Sequence, residues 1–443
     1  MTATRPGAKT RTIDIGSSIE LHGGLHGSLL TDPPTGTRFR VNAPQHVFLS
    51  EPAREVSGRS FRPSRDFATA ELIDPGPSRL LYHSSRWPVL NRASWIVDLD
   101  DFGYPVLWGR SAIDPQERRR LARGGGRASQ ARAAQMLRAY THPSCKAILF
   151  FTEHALAEAY QWLRSAAPPE ITRAFVERCH VVPAAHRTLD AAEVRRKWRD
   201  DPLTVVFCGR DYHQKNGRAA LTIMTSLAKR FPEVLFHYIG ETPRAPLIHR
   251  FDSLPNATAH GVLPRADALR ILASAHVLFH PARYESFGMV YAEAMAAGLA
   301  IVSSSGSLMA HVEEFLSRER AVLVRREGDD FERDVATFER ALDRLLANRS
   351  AAAAMGAQNY RYATNGALSV RRRSASLEKI YRRAAAVPAE PMRIEDLGPV
   401  ADSGRVVRRS AAAVAEDFEE FRRAVPRAPR SVLLGGTTWP TPT

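Results

Sequence analysis

The sequence predicts an α/β protein with two Rossmann-like, doubly wound domains. The chain has 443 residues, and domains commonly hold about 100–200 residues each. Between Asp201 and Ala386, short apolar runs alternate with amphipathic stretches at helical spacing, which is typical of a parallel sheet covered by helices. Short apolar runs also recur in the first half of the chain, which indicates a second α/β domain with long insertions.

The second half contains the elements of one doubly wound sheet in chain order. Apolar runs predict strands at 204–208, 235–239, 257–260, 277–280, 300–303 and 321–324. Helices are predicted at 218–230, 265–274 and 288–297, and the last one ends at Gly298, a residue type favoured just beyond a helix. An apolar stripe at helical spacing predicts one more helix, through Val335, Phe338, Leu342, Leu345 and Leu346, and another is predicted at 368–386. Ligands of such sheets bind beyond the carboxyl ends of the strands, so the loops after strands are the candidate sites.

The first half has less regular spacing. Strands are predicted at 12–15, 79–82, 95–97, 147–151 and 180–183, separated by Pro- and Gly-rich loops at 33–37 and 63–77. We therefore expect an N-terminal domain at 1–198, a C-terminal domain at 199–386 and an extension at 387–443. The extension is expected to contain one helix at 411–423 and to end in disordered residues.

The composition excludes several classes of protein. Hydrophobic residues make up 44% of the chain and charged residues 25%, which excludes a wholly disordered protein. No run approaches the roughly 18 apolar residues of a membrane span, and the first residues lack the apolar core of a signal peptide. The three cysteines share no metal-ligand spacing, and their odd number argues against a disulfide framework. We therefore expect a cytoplasmic protein.

The chain is strongly basic, with a net charge of +15. Such a charge favours anionic partners such as nucleotides, phosphates, lipid headgroups or nucleic acid. Part of the excess lies at 117–132, where arginines flank three consecutive glycines. This segment is interpreted either as a loop that contacts phosphate or membrane, or as a solvated insertion, which is the usual role of a charge run. The charge also fits peripheral contact with the inner face of an anionic membrane.

The most informative segment runs from 280 to 298, where a predicted strand enters a loop and a helix opens near Gly288. Ser286 is the predicted N-cap of this helix. The backbone N–H groups of Gly288, Met289 and Val290 would then face an anion, because a helix N-terminus combines unpaired donors with the positive end of the helix dipole. The segment therefore predicts a phosphate-binding site.

Two acids accompany this helix start. Glu293 lies about one turn into the helix, where a carboxylate can accept hydrogen bonds from two vicinal hydroxyls of a ribose. Glu285 lies in the loop and would point at the group beyond the phosphates. A helix start with an ordinary surface carboxylate is the alternative interpretation, and the presence of both acids favours the binding site.

A second charged element follows the predicted strand at 204–208. Arg210 and Lys215 both lie in the loop between this strand and the next helix. Together they can balance a diphosphate, the guanidinium through paired hydrogen bonds and the ammonium as a point charge. If a nucleoside diphosphate leaves during the reaction, the pair would stabilise its developing negative charge.

These motifs resemble one family in both content and order. Phe207-Cys208-Gly209-Arg210, Lys215-Asn216-Gly217, Gly261-Val262-Leu263 and the acids Glu285 and Glu293 are similar to the nucleotide-sugar domain of the family-4 retaining glycosyltransferases of GT-B fold. The resemblance covers about residues 201–386. It implies two Rossmann-like domains that face each other across a cleft.

The resemblance also implies roles for single residues. Arg210 and Lys215 would bind the donor diphosphate and act in catalysis with Glu285, which would contact the donor sugar. Glu293 would hold the ribose, and the backbone around Val262-Leu263 would contact the base. The implied reaction moves a hexosyl group from a nucleotide sugar to a hydroxyl acceptor, with retention of configuration and without a metal or other required cofactor. A UDP-sugar is the favoured donor, with GDP- and ADP-sugars as alternatives, and the acceptor is a small molecule, a glycan or a lipid-linked group.

The first domain departs from the family pattern. Many members place a histidine after a strand here, whereas the comparable strand of this chain runs into Asp98-Leu99-Asp100. The candidate acceptor-side groups are therefore Asp98, Asp100 and His83, which follows the preceding strand. Asp98-Leu99-Asp100 also spells the Asp-x-Asp metal motif of the other major glycosyltransferase fold, but three residues are a weak signal and we expect no metal site.

Three rival interpretations remain open. A catalytically silent GT-B partner subunit would keep the fold, although the intact charged residues argue against it. A nucleotide-sugar epimerase of the same fold would need an acid/base set that the sequence does not show. A nucleic-acid-binding protein fits the charge, but no helix-turn-helix, zinc-finger or aromatic stacking motif is present, so we expect no nucleic-acid partner.

Overall fold

The computed structural model describes residues 10–16, 24–42, 44–50, 70–103, 105–106, 127–242, 245–326, 330–398, 405–408 and 433–434. The chain forms two compact units. Unit 1 comprises Met1–Val182 and Ser374–Thr443, and unit 2 comprises Pro183–Arg373. Each unit contains a parallel sheet with helices, so the predicted fold class, α/β with two Rossmann-like domains, is confirmed.

The strands of unit 1 form a parallel sheet and a smaller antiparallel one. In chain order they are β1 (Arg11–Gly16), β2 (Thr37–Val41), β3 (Gln45–Ser50), β4 (Ala70–Asp74), β5 (Tyr82–Ser85), β6 (Trp95–Leu99), β7 (Cys145–Phe150) and β8 (Cys179–Val181), with β15 (Arg405–Arg408) and β16 (Leu433–Leu434) near the C-terminus. The parallel sheet has the order β16-β2-β1-β5-β6-β7-β8, and the antiparallel sheet has the order β15-β3-β4.

Unit 2 has one parallel sheet. Its strands are β9 (Thr204–Gly209), β10 (Leu235–Gly240), β11 (Ala257–Gly261), β12 (Val277–His280), β13 (Ala300–Ser305) and β14 (Val322–Arg325), in the order β11-β10-β9-β12-β13-β14. The order reverses between β9 and β12, which are neighbours at the centre of the sheet. The loops that leave two such strands turn in opposite directions, and this opens a crevice at their carboxyl ends.

The helices cover these sheets. They are α1 (Leu25–Thr31), α2 (Arg127–Thr141), α3 (Glu153–Ala166), α4 (Pro169–Val176), α5 (Ala191–Asp200), α6 (Gly217–Arg230), α7 (Ala245–Asp252), α8 (Arg265–Ser274), α9 (Met289–Ala296), α10 (Ala310–Glu313), α11 (Phe331–Leu346), α12 (Arg349–Asn365) and α13 (Val370–Ala386). Short 3₁₀ helices lie at Ser307–Met309 and Ile394–Leu397. In α11 the predicted stripe is the buried face, apart from Val335, which is half-buried.

The last part of the chain packs into unit 1. The side chains of Leu377, Ile380 and Tyr381 on α13 are buried against the β1 and β2 residues of unit 1, and Met392 and Leu397 are buried in its second core. The extension at 387–443 therefore contributes to the folded core through its first residues. The predicted helix at 411–423 lies outside the described residues.

Three predictions about unit 1 were wrong in part. Within the predicted loop 63–77, Ala70–Asp74 is the strand β4, buried along its length. Acids interrupt its apolar pattern, and the sequence alone therefore does not show a strand. The strand predicted at 79–82 is found at Tyr82–Ser85. At the C-terminus, where disorder was expected, Leu433–Leu434 pairs with β2.

A buried lysine holds α5 against two other helices of unit 2. The ammonium of Lys197 donates hydrogen bonds to the carbonyl oxygens of Ala273, at the end of α8 (3.0 Å), and Ala297, at the end of α9 (2.8 Å). Burial lowers the pKa of Lys197 to about 8, because the low-dielectric interior disfavours the charged form. The neutral amine still has two N–H donors, so it can keep both bonds.

This pKa predicts that unit 2 becomes more stable as the pH rises above 8. The folded-state pKa lies below the usual value of 10.5, so the unfolded chain binds the proton more tightly, and stability rises with pH in that window. From pH 8 to pH 10, the wild type should gain roughly 2 kcal/mol of unfolding free energy relative to Lys197→Met. Urea denaturation at several pH values measures it. Lys229→Met, at an exposed position of α6, should show no such trend, and an equal trend in both variants would contradict the assignment.

Candidate active site

The loops that follow β9 and β12 lie side by side at the centre of the unit 2 sheet. The two strands pair in parallel, Val277 opposite Val205, so their carboxyl ends meet at one edge. The backbone N–H of Arg283, after β12, donates to the carbonyl oxygen of Gln214, after β9, over 2.8 Å. This bond joins the loops and brings their charged side chains together.

Glu285 forms a buried ionic cluster with Lys215, in the loop after β9, and His280, the last residue of β12. The Lys215 Nζ lies 2.7 Å from the Glu285 Oε1, and the His280 Nε2 lies 2.9 Å from the same oxygen. The Glu285 side chain is only 8% exposed. Burial by itself would raise the pKa of Glu285, but the Lys215 charge and the His280 hydrogen bond outweigh it and lower that pKa to about 2. Glu285 is therefore a carboxylate throughout the neutral range.

Burial favours the neutral form of the His280 imidazole in this cluster. Burial lowers its pKa, and the nearby Lys215 acts in the same direction, while Glu285 opposes both. A neutral imidazole whose Nε2 faces a carboxylate carries its proton on that nitrogen and donates it to the carboxylate.

The helix α9 begins at Met289, one residue after the predicted start, and Gly288 rather than Ser286 is its N-cap. Gly288 has φ +70°, in the left-handed region that glycine adopts most easily. A Cβ at this position would lie 2.6 Å from the ring of Tyr291. The first N–H groups of any helix lack partners within the helix, so the backbone of Gly288, Met289 and Val290 offers donors at the crevice.

Beside this helix lies a pocket at the ends of β9, β10 and β11. It is lined by Cys208, Gly209, Arg210, Ile239, Gly240, Val262, Leu263, Arg265, Ala268, Leu269, Leu272 and Glu293. Val262 is 63% exposed, which leaves an apolar surface uncovered at the rim. Four residues predicted from the sequence therefore meet in one pocket: Arg210, Val262, Leu263 and Glu293.

Within the pocket, Glu293 is paired with an arginine. The Arg265 guanidinium, at the start of α8, lies 2.5 Å from the Glu293 Oε1, and both side chains are largely buried. Sequence analysis did not identify Arg265. A buried carboxylate requires a cation as its partner, so the basic residues of the neighbouring loops were the candidates to consider.

Lys215 links the ionic cluster to this pocket. Its side-chain stem packs over Gly209, where a Cβ would lie 2.8 Å from the Lys215 Cγ. Asn216, with φ +56°, turns the chain into α6 directly after it. The thiol of Cys208 also lines the pocket, and burial raises its pKa to about 12, so it stays protonated.

The predicted acceptor-side residues of unit 1 form a different arrangement. The His83 Nε2 lies 3.0 Å from the Asp98 Oδ1, and the His83 Nδ1 lies 2.8 Å from the hydroxyl of Tyr381. His83 and Asp98 are buried. Asp100 instead accepts two hydrogen bonds from Arg86, at 2.9 and 2.7 Å. The carboxylates of Asp98 and Asp100 thus have separate partners.

The basic segment at 117–132 lies mostly outside the described residues. Its last arginine does not belong to a loop, since Arg132 is buried on α2 and donates to the carbonyl oxygen of Pro105 at 2.9 Å. That arginine has a structural role.

The domain that carries the pocket is similar to a known protein family. Residues 190–362 match the family described as Glycosyl transferases group 1. The matched segment contains Arg210, Lys215, Glu285 and Glu293. No curated protein matches the chain.

Solved structures that span most of this chain share its fold. WaaG, a glycosyltransferase involved in lipopolysaccharide biosynthesis, aligns with a TM-score of 0.52 at 14% identity, over 83% of this chain and 99% of its own. Sucrose-phosphate synthase from Thermosynechococcus elongatus aligns with a TM-score of 0.53 at 15% identity, over 84% and 98%. A glycosyltransferase from Rickettsia africae ESF-5 aligns with a TM-score of 0.50 at 10% identity, over 85% and 99%. The fold is therefore the two-domain GT-B fold. Among the described residues, the structure has no helix long and apolar enough to cross a membrane.

The tight turn into α9 leads to a prediction about Gly288. Gly288→Ala places a side chain in left-handed backbone and against Tyr291, whose buried hydroxyl is fixed at 2.7 Å from the Ser303 Oγ. Gly261→Ala is the matched control, because Gly261 has φ +66° but nothing within 4 Å of an added Cβ. We expect the control to lose about 1 kcal/mol of unfolding free energy from backbone strain, and Gly288→Ala to lose about 1–3 kcal/mol more from the overpacking. Equal losses by chemical denaturation would show that the Tyr291 ring does not restrict this turn.

Proposed function

We propose that the protein is a retaining glycosyltransferase of family 4 that moves a hexosyl group from a nucleoside diphosphate sugar to a hydroxyl acceptor, without a metal. One observation carries the proposal. Two buried carboxylates, Glu285 and Glu293, flank the start of α9, each is paired with a cation, and Glu293 lines the pocket at the strand ends.

Donor binding follows from the chemistry of this edge. The base would lie against the exposed Val262 and the adjoining Leu263 backbone, and the ribose hydroxyls would donate to Glu293. Arg210 and the N–H groups at Gly288–Val290 would bind the diphosphate, because they combine a guanidinium fork with the positive end of a helix. The donor sugar would then be adjacent to the loop that holds Glu285.

The proposed reaction uses the leaving group as the base. The bond between the anomeric carbon and the diphosphate oxygen breaks, and the acceptor oxygen bonds to that carbon from the same face. The acceptor proton moves to the departing phosphate oxygen. Arg210 and Lys215 would stabilise the negative charge that develops on the diphosphate, and Glu285 would hold the sugar.

The acceptor side is assigned to unit 1 in this proposal. His83 lies within β5 rather than after it, Asp98 lies near the end of β6, and Asp100 follows β6. The Asp98 carboxylate, held by His83, is the group proposed to face the acceptor hydroxyl. A UDP-sugar is the favoured donor, with GDP- and ADP-sugars as the alternatives, and a cytoplasmic enzyme with peripheral membrane contact fits the net charge of +15.

A donor screen tests the proposal. We expect one nucleotide among UDP-, GDP-, ADP- and TDP-sugars to raise the melting temperature of the protein, because a ligand that binds only the folded state stabilises it. The same donor should be hydrolysed slowly, with water as the acceptor, and EDTA should change neither result.

Other outcomes of this screen favour the rival functions. A response that disappears with EDTA would indicate a metal site at Asp98 and Asp100. Epimerised sugar nucleotide among the products would indicate an epimerase. Absence of binding by every nucleotide sugar would contradict the proposal and favour a silent partner subunit.

The role of Glu293 gives a sharper prediction. Glu293→Ala should weaken donor binding at least tenfold, since hydrogen bonds to a charged acceptor are worth about 1.5–3 kcal/mol each. Isothermal titration with the donor identified in the screen measures it. Glu339→Ala is the control, because Glu339 also lies in unit 2 and bonds Ser226 at 2.7 Å, but outside the pocket. Unchanged donor affinity in Glu293→Ala would show that the ribose does not bind to Glu293.

A further inference from the structure

His280 makes a contact with Glu285 that the proposed function does not use. It is the last residue of β12, its side chain is 1% exposed, and its Nε2–H donates to the Glu285 Oε1 over 2.9 Å. Lys215 bonds the same oxygen. Both partners therefore hold one oxygen of the carboxylate, which leaves Oε2 for a ligand.

The orientation of the His280 ring is fixed by two aromatic neighbours. Phe207 stacks on it with ring centroids 5.9 Å apart, and Tyr291 meets it edge-on at 5.2 Å. The hydroxyl of Tyr291 is itself held by Ser303 at 2.7 Å. Within the part of the chain that the structure describes, the buried His280 Nδ1 has no hydrogen-bond partner. The ring therefore has one polar contact, and that contact is Glu285.

If the proposed function holds, Glu285 and the donor diphosphate compete for Lys215. In this structure its ammonium bonds Glu285 and, at 3.3 Å, the carbonyl oxygen of Tyr284. A diphosphate carries more charge than a single carboxylate, and a lysine is a flexible point charge that can turn toward it. When Lys215 does so, the buried Glu285 loses its nearest cation.

We infer that His280 is a positioning residue for Glu285, holding Oε1 in place while Lys215 moves from Glu285 to the donor diphosphate. This inference rests on the proposed function, since it assigns both Glu285 and Lys215 to donor binding. The His280 N–H keeps the carboxylate oriented and stabilises its charge at the moment when the ion pair weakens. A fixed carboxylate can then hold the donor sugar in one orientation, which lowers the entropy cost of reaching the transition state.

The titratable groups that face Glu285 in the described residues come from three elements. They are Lys215 in the loop after β9, His280 at the end of β12 and Tyr291 on α9. Burial strongly raises the pKa of Tyr291, with Glu285 adding to the effect, so the phenol stays protonated. With Lys215 engaged elsewhere, His280 is the group among these three that lowers the pKa of Glu285.

The test compares His280→Leu, which removes the donor, with His280→Gln, whose amide N–H can reach the same oxygen. With the donor identified in the screen, His280→Leu should lower kcat for sugar-nucleotide hydrolysis at least tenfold. The Kd for the free nucleoside diphosphate should rise by a smaller factor than kcat falls, because Glu285 contacts the sugar and not the diphosphate in the proposed function. The acid limb of the kcat pH profile should move to higher pH, because Glu285 becomes harder to ionise in the donor complex. His280→Gln should recover most of kcat.

The matched control is His276→Leu, at the residue directly before the same strand. His276 is also buried, but it bonds the backbone of Thr204 and Lys197 and lies outside the site. This variant should lose stability while its folded fraction keeps the wild-type kcat and pH profile. Equal effects of the two leucine variants, or no recovery in His280→Gln, would overturn the inference.

One further measurement keeps the inference testable if His280→Leu fails to fold. Nitrogen-15 NMR of the wild type at pH 8 should show His280 as the Nε2–H tautomer, and the Nδ1–H tautomer, which has no proton to donate to Glu285, would overturn the inference. Failure of the proposed function and failure of the His280 role give different results. Absence of donor binding by the wild type contradicts the proposed function, whereas normal turnover and an unshifted pH profile in His280→Leu contradict the role of His280 alone.

Discussion

The burial of one carboxylate organises the centre of unit 2. Removing an ionised carboxylate from water costs several kcal/mol unless nearby groups replace the lost hydration. Glu285 meets this cost with an ammonium from the loop after β9 and an imidazole N–H from the end of β12. Its backbone N–H also faces the carbonyl oxygen of Leu308, in the loop after β13, at 3.4 Å. The ends of three adjacent strands are thus tied to one residue, through its side chain and its backbone, and the crevice between β9 and β12 has a defined shape before any ligand binds.

In the pocket beside Glu285, a second buried carboxylate, Glu293, is also stabilised by a cation, which here is Arg265. Glu293 projects from the first turns of α9, and Arg265 begins α8. Their ion pair joins two helices whose far ends are joined by Lys197, which bonds carbonyl oxygens at the end of each. The two helices are therefore fixed at both ends, by an ionic contact at the crevice and by hydrogen bonds at the opposite edge. Such support is what a binding site on rigid elements requires.

Local patterns explain why much of this site could be predicted from the sequence. The helix at 289–296 and the strands around it follow from apolar spacing and from Gly298, whose φ of +70° matches its expected place after a helix. The position of Glu293 relative to the helix start follows from helix geometry, and that of Glu285 from its place in the loop between β12 and the helix. The prediction of Ser286 as the N-cap was wrong, because the left-handed turn at Gly288 sets the start of the helix. The capping preference of serine carries no information about such a turn.

The partners of these acids could not be predicted, because they depend on tertiary contacts. Arg265 lies 28 residues before Glu293 in the chain, and its sequence surroundings are those of any helix start. His280 occurs at the end of an apolar run, where it looks like part of a strand. The contact between His83 and Tyr381 spans 298 residues of sequence, and no local pattern carries information over that distance. The strand β4 was missed for a local reason, because its buried acids, Glu71 and Asp74, interrupt the apolar pattern that predicts a strand.

The resting state of the site also constrains how a donor would bind. Lys215 and Arg265 are each bound to a carboxylate, so neither cation is available to a phosphate without competition. The backbone donors at the start of α9 have no such competitor among acidic side chains of their own turn, because the first turn of that helix contains no acid. A diphosphate would therefore meet the helix N-terminus at the lowest cost and draw Lys215 afterwards. In that order, the electrostatic change at Glu285 would be a consequence of donor binding, and the hydrogen bond from His280 would then keep the carboxylate oriented, as we propose.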